Sequence, residues 1–342
     1  CAFAACTAPR LPETQLRPIS TDFDWQLPHG FSAPTAPPDN PMSAAKVELG
    51  RELFYDQRLS FNGAISCASC HTQSLGFTDG RAHAIGATGE AHPRSSLPLA
   101  NVGYNSAFTW LDRKPRSLEE QMMQPLFNEH PVEMGLTSHE ALVMGRLAGD
   151  RRYPELFARA FPGEVTPVRL PNVLRAIASF ERTLISGRSP FDRYLFDDDQ
   201  AALSPAAKRG MQLFFSKRAR CAQCHAGLTL GGSQALYANT GIERGARRPF
   251  RVPSLRNIEV TAPYMHDGSL ATLNDVLEHY SAGGRYRSHD TAPRIRPLAL
   301  SNAERSELVE FLHSLTDREF LSDSRFADPQ LARPRQRRRA SD

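Results

Sequence analysis

Apolar positions recur at helical spacing over most of the chain. Val173, Ile177, Phe180 and Leu184 fall on one face, which predicts a long helix there. Ser43 directly ahead of the stretch Ala44 to Phe54 predicts another. Further helix starts are marked by a hydroxyl residue followed three positions later by an acid: Ser117 with Glu120, Thr137 with Glu140, Thr272 with Asp275, and Ser301 with Glu304. In such a box the hydroxyl accepts from the third residue's N–H, and the carboxylate reaches back to the cap. No segment alternates as a sheet requires. The pattern predicts a mainly α chain with long loops.

The pattern also repeats. Gly50-Arg-Glu-Leu-Phe54 is echoed by Gly210-Met-Gln-Leu-Phe214, Pro98-Leu-Ala-Asn101 by Pro253-Ser-Leu-Arg-Asn257, and Ser117-Leu118 by Thr272-Leu273. Each unit reads helix, motif, loop, loop, helix, and a chain of 342 residues has room for two such domains. The Pro- and Gly-bearing stretch 162–168 places the boundary between residues 43–165 and 166–322. A Pro-rich arm over 1–42 and a tail over 323–342 flank them.

Composition narrows the function. The formal charge of +4 is carried by a tail holding Arg333, Arg335, Arg337, Arg338 and Arg339, without which the body stands at about −1. No nucleic-acid face is expected from that balance, and the tail reads as a solvated, disordered terminus. No apolar run reaches the length of a spanning helix. Membrane contact is expected only through the N-terminus. There Phe3-Ala4-Ala5-Cys6 is like the end of a lipoprotein signal, and Cys1 would serve for lipidation too; a signal-peptide remnant or a disordered segment is the other reading.

The other four cysteines carry the chemistry. They form Cys67-Ala-Ser-Cys70-His71 and Cys221-Ala-Gln-Cys224-His225, at corresponding places in the repeat. Two thiols three residues apart reach the two vinyl groups on one porphyrin edge, and the histidine that follows turns under the ring to ligate iron. The chain is therefore expected to carry two covalent c-type haems on two tandem cytochrome c-like domains, with His71 and His225 as proximal ligands. Covalent haem attachment implies an exported, oxidising compartment, the periplasm.

The far side of each iron decides between electron carrier and enzyme. Seven residues beyond Leu273 stands Tyr280, and seven beyond Leu118 stands Pro125. A phenolate ligates iron, whereas proline offers no donor atom, so the repeat predicts a capped C-terminal haem and an open N-terminal one. His279 is a rival ligand to Tyr280. An open haem that cleaves peroxide needs a proton carrier, and Glu129 and Glu133 both lie in the right loop. Of only two tryptophans, Trp25 and Trp110, Trp110 is placed to sit between the haems, or to serve simply as a packing residue.

From about Asn40 to Leu315 the chain resembles the bacterial di-haem cytochrome c peroxidase and MauG family. The resemblance rests on Asn62-Gly-Ala-Ile-Ser-Cys67, Leu118-Glu-Glu-Gln121-Met-Met-Gln-Pro125, Pro131-Val-Glu133-Met-Gly and Thr261-Ala-Pro263-Tyr-Met-His-Asp-Gly268. The runs Phe23-Asp-Trp-Gln-Leu-Pro and Phe127-Asn-Glu-His-Pro-Val-Glu-Met-Gly look most like its MbnH-type branch. The resemblance implies that Glu133 is the distal acid, that Gln121 and Pro125 line its pocket, and that Trp110 lies between the haems. It also implies that Tyr280 ligates the second iron, where donor-fed peroxidases place Met, and that calcium is held by the carbonyls of Thr261 and Pro263. Ser95 stands where the family's Asn calcium ligand is expected.

These readings lead to one expectation. The protein is a peroxide-dependent oxidase whose haems share two oxidising equivalents, drawn at long range from a tryptophan of a partner protein; the MbnH-type likeness implies kynurenine as product. Two alternatives stand beside it. One is a peroxidase that reduces hydrogen peroxide with electrons from a small cytochrome or copper protein, for which Met265 is the near candidate ligand. The other is a plain di-haem electron carrier.

Overall fold

The computed structural model describes residues 23–231, 235–245, 248–287, 291–292 and 295–331. Cys1, Cys6 and the five tail arginines lie outside them. The described chain is helical in the main. The first part holds α1 (Ala44–Tyr55), α2 (Cys67–Cys70), α3 (Leu118–Phe127), α4 (Glu140–Ala148), α5 (Tyr153–Ala160) and α6 (Leu170–Arg182). The second holds α7 (Pro190–Phe196), α8 (Pro205–Phe215), α9 (Leu273–Ser281) and α10 (Asn302–His313). A two-residue ladder, β1 (Tyr237–Ala238) against β2 (Phe250–Arg251), is antiparallel and too short to have shown as alternation. No described helix is long and apolar enough to cross a membrane.

The starts of most helices follow the sequence. Ser43 Oγ accepts from Lys46 N–H at 3.2 Å, and reciprocal boxes close at Thr272/Asp275 and Ser301/Glu304. The Ser117 start is half of a box: its hydroxyl accepts from Glu120 N–H, but the Glu120 carboxylate takes the N–H of Arg116 instead. The box expected at Thr137 does not form. The Thr137 hydroxyl donates to Phe127 O at 3.1 Å, closing the preceding loop, Ser138 turns to φ +62°, and Glu140 becomes the first residue of α4.

Each unit is built on one crossing of two helices. α1 packs on α6 and α8 packs on α10, and a glycine lets each pair close. A Cβ on Gly50 would lie 1.9 Å from Ala176 O, and one on Gly210 would lie 1.9 Å from Glu307 O. Backbone cannot yield there as a flexible side chain would. Gly210→Ala is expected to destabilise by about 1–3 kcal/mol or more, despite alanine's better helix propensity, worth about 1 kcal/mol. Thermal denaturation checks it, and a variant as stable as the parent would show that the pair can part.

The packing moves two expected boundaries. Val173, Ile177 and Phe180 on α6 are buried in the first core with Leu49, Leu53 and Phe54 of α1. α6 therefore completes the N-terminal unit, and the division expected at 165/166 falls beyond it, before Phe191 enters the second core. The Pro- and Gly-bearing loop is an internal connection of the first unit. Leu184 is buried, but past the helix end at Arg182. Part of the tail expected from 323 is also packed, with Phe326 and Pro329 buried. Phe320 and Phe326 return to the first core, Tyr55 donates to Phe326 O at 2.6 Å, and Arg51 donates to Ser324 O and Arg325 O. Arm residue Phe31 touches Tyr104, Phe196 and the guanidinium of Arg256, so the extended arm lies against both units.

Candidate functional site

Two cavities lie in the two units, each with one Cys-Cys-His motif on its wall. The first, about 330 Å³, is lined by Cys67, Cys70, His71, Trp110, Gln121, Pro125 and Glu133, among others. The second, about 200 Å³, is lined by Cys221, Cys224, His225, Trp110, Met265 and Tyr280. The larger space lies on the side where proline stands in place of tyrosine.

The histidines are fixed by carbonyls from behind. His71 Nδ1–H donates to Phe77 O at 2.8 Å, and His225 Nδ1–H donates to Leu230 O at 3.2 Å. That bond commits Nδ1 to the proton and leaves the lone pair on Nε2 for a metal. Burial favours the neutral ring in both, and pushes His225 down to about 4. The core supports this geometry directly: Phe77 packs on Phe54 at 6.1 Å, and Phe54 on Phe180 at 5.3 Å. The α1/α6 crossing thus holds the carbonyl that orients His71.

Haem fits these walls. Arg94, on the first cavity, has a buried Nε without a hydrogen-bond partner among the described residues, and a haem propionate would satisfy it. Arg251 and Arg296 offer cations on the second. Tyr280 is pushed up by burial, so its oxygen would become a phenolate only against a cation such as haem iron. His279, the rival, turns away: Nε2–H donates to Thr240 O at 3.0 Å, and the residue is not on the cavity wall. Met265 does reach that wall, so the cavity has a thioether donor as well as the phenol.

The distal loop is also sorted by geometry. Glu133 lines the first cavity and Glu129 does not. Glu133 Oε1 lies 3.7 Å from His92 Nε2 and accepts from Asn128 Nδ2 at 3.5 Å. Burial raises its pKa, opposed by His92 and by the Asn128 hydrogen bond. A carboxyl shifted upward in this way accepts a proton more readily than an exposed one.

Trp110 lines both cavities, and it is pinned there. Its indole N–H donates to Ser95 O at 2.8 Å, its carbonyl accepts from Arg251 N–H at 2.9 Å, and its ring meets His266 edge-on at 6.3 Å. Trp25 lines neither cavity and packs against Phe23. Thr261 and Pro263 sit outside both cavities, on the loop that Ser95 joins through Met265 O and His266 O.

Sequence reasoning missed three wall residues. His92 and Arg94 lie in a loop with no periodicity, so only the fold could bring them to the cavity. Glu181 had a signal: it stands four residues after Ile177, a charge on an otherwise apolar helix face.

Comparison with known proteins agrees with this architecture. Residues 44–200 match the family described as di-haem cytochrome c peroxidase, and residues 207–316 match cytochrome c. The chain is 39% identical to the methylamine utilization protein MauG of Methylorubrum extorquens, over 92% of this chain and 89% of that protein. It is 35% identical to the cytochrome c551 peroxidase of Nitrosomonas europaea, with 81% of each covered. A solved structure of a MauG-like protein associated with microbial copper homeostasis superimposes with a TM-score of 0.87 at 37% identity, over 90% of this chain and 100% of that one. With two haem c sites that share Trp110 on their walls and these relatives along most of its length, the chain belongs to the di-haem cytochrome c peroxidase and MauG family of oxidoreductases.

Proposed function

We propose that this protein uses peroxide at its N-terminal haem to oxidise a tryptophan of a partner protein, with the second haem sharing the oxidising equivalents. The observation that carries this reading is the asymmetry of the cavities: Pro125 on the first, Tyr280 on the second, and Trp110 on both. Bound haem supplies the redox chemistry. His71 and His225, each fixed by a carbonyl at Nδ1, would hold the irons, and Tyr280 would give the second a hard anionic donor. Pro125 leaves the first side open, Gln121 lines it, and Glu133 moves a proton between the two peroxide oxygens through its carboxyl. Trp110 offers an aromatic bridge between the cavities.

Kynurenine as the product rests on the resemblance of the runs at 23–28 and 127–135 to the MbnH-type branch. A calcium ion on the carbonyls of Thr261 and Pro263, and a periplasmic location suited to haem attachment, belong to the same reading. The test adds stoichiometric peroxide to the fully ferric, calcium-assayed protein and follows both haems by electron paramagnetic resonance. Both ferric signals are expected to vanish together without prior reduction, and the co-expressed partner to change mass. Met265 on the second wall favours the other reading, a peroxidase fed by a small cytochrome or copper protein. Under that reading nothing happens until one haem is reduced. A plain electron carrier would leave peroxide untouched.

A further inference from the structure

The N-terminal cavity has a carboxyl that its counterpart lacks. Glu181 on α6 lines the first cavity one turn beyond Ile177, which lines it too. The residue is 5% exposed, and its Oε2 is buried without a hydrogen-bond partner among the described residues. Its charged neighbours do not neutralise it. Arg182 spends its guanidinium on Glu119, at 3.0 and 2.9 Å. Lys46 of α1 is turned to Asn40 and to Pro41 O, and Cys67 of α2, as a haem thioether, would bring no charge. Burial is the dominant influence and raises Glu181 to about 8, against a lowering by Arg182 and a further raising by Glu119.

The internal repeat supplies the comparison. Gly50 meets Ala176 O as Gly210 meets Glu307 O. Carried along the two helices, that register sets Ile177 opposite Leu308 and Glu181 opposite Leu312. Leu308 and Leu312 line the second cavity as Ile177 and Glu181 line the first. Where the second haem site has an isobutyl group, the first has an ionisable carboxyl facing a cavity of low dielectric.

We propose that Glu181 is a proton-linked electrostatic partner of the N-terminal haem, protonated beside ferrous iron and ionised beside ferric iron. The exchange balances: iron loses one electron, to peroxide or a redox partner, and the carboxyl loses one proton to water, so the local charge is unchanged. Ionisation holds this haem oxidised and lowers its potential relative to the second as pH rises. Glu181 does not touch peroxide, so it is a positioning residue for charge. The inference is independent of what the enzyme oxidises, since it needs only a haem in the first cavity.

The test is a spectroelectrochemical titration of the purified di-haem protein, the Glu181→Gln variant and the Glu181→Leu variant, across neutral to alkaline pH. In the parent, the potential of the N-terminal haem is expected to fall with a slope approaching about 59 mV per tenfold drop in proton activity. Both variants are expected to lose that slope, while the C-terminal haem behaves alike in all three. Should the Gln variant fail to mature, the Leu variant decides, because leucine already occupies the matching position. A parental slope in either variant would overturn the proposal and assign the proton to another group, such as a haem propionate.

Discussion

Glu133→Gln is expected to slow the reaction with peroxide by about 10²–10⁴-fold, the usual worth of a positioned proton carrier, while haem content and spectra stay as in the parent. Glutamine keeps the shape and still accepts from Asn128, but it cannot take a proton. Glu129, on the same loop but off the cavity, is the control, and Glu129→Gln is expected to react at the parental rate. The pH profile gives the sign. Glu133 must enter as carboxylate to accept the peroxide proton, so the rate falls as pH drops through its pKa. Burial raises that pKa above the ordinary carboxyl range, so the limb lies at higher pH than for an exposed glutamate. In Glu133→Gln the limb is absent. Stopped-flow mixing with peroxide measures both, and a variant within a few-fold of the parent would remove Glu133 from the reaction.

The second large effect is expected from Tyr280→Met. A phenolate is hard and anionic and favours ferric iron, whereas a thioether is soft and favours ferrous iron. The potential of the C-terminal haem should rise by on the order of 0.1 V or more, within the roughly 0.8 V that axial ligands span. The fully ferric variant should no longer consume peroxide until one haem is reduced. Paramagnetic resonance before and after one equivalent of reductant reads the switch. A variant that still loses both ferric signals together would show that the donor at the second iron is not Tyr280, and would turn attention to Met265 on the same wall. His279 offers no such route, because its Nε2–H is bonded to Thr240 O and the residue is not on the cavity wall.

Local chemistry was readable before any fold was known. The two Cys-Cys-His motifs need only three residues each, and their matching places in a repeat argue against chance. The Ser43, Thr272 and Ser301 caps act within one turn, so spacing alone locates them. The contrast of Pro125 with Tyr280 came from counting along that repeat. Spacing could not give any decision that depends on which way a side chain turns. Glu129 and Glu133 are four residues apart on one loop, and only the fold sends Glu133 to the cavity. Tyr280 and His279 are adjacent, and the facing of α9 separates them. The boundary at 165/166 was misplaced because Pro and Gly mark a break in helix, not a break in packing, and α6 returns across that loop to close on Gly50. Residues 323–331 looked solvated because arginines dominate the segment after 331, yet Phe326 finds the first core. The cofactor and its doubling could be read from residue order, since each rests on covalent or near-neighbour chemistry, and so could the contrast of Pro125 with Tyr280 on the two cavity walls. Long-range packing decided that Trp110 faces both cavities, that His92 meets Glu133, and that Glu181 stands where the other unit has Leu312. Those are contacts between segments tens of residues apart, fixed by close packing that no local spacing encodes.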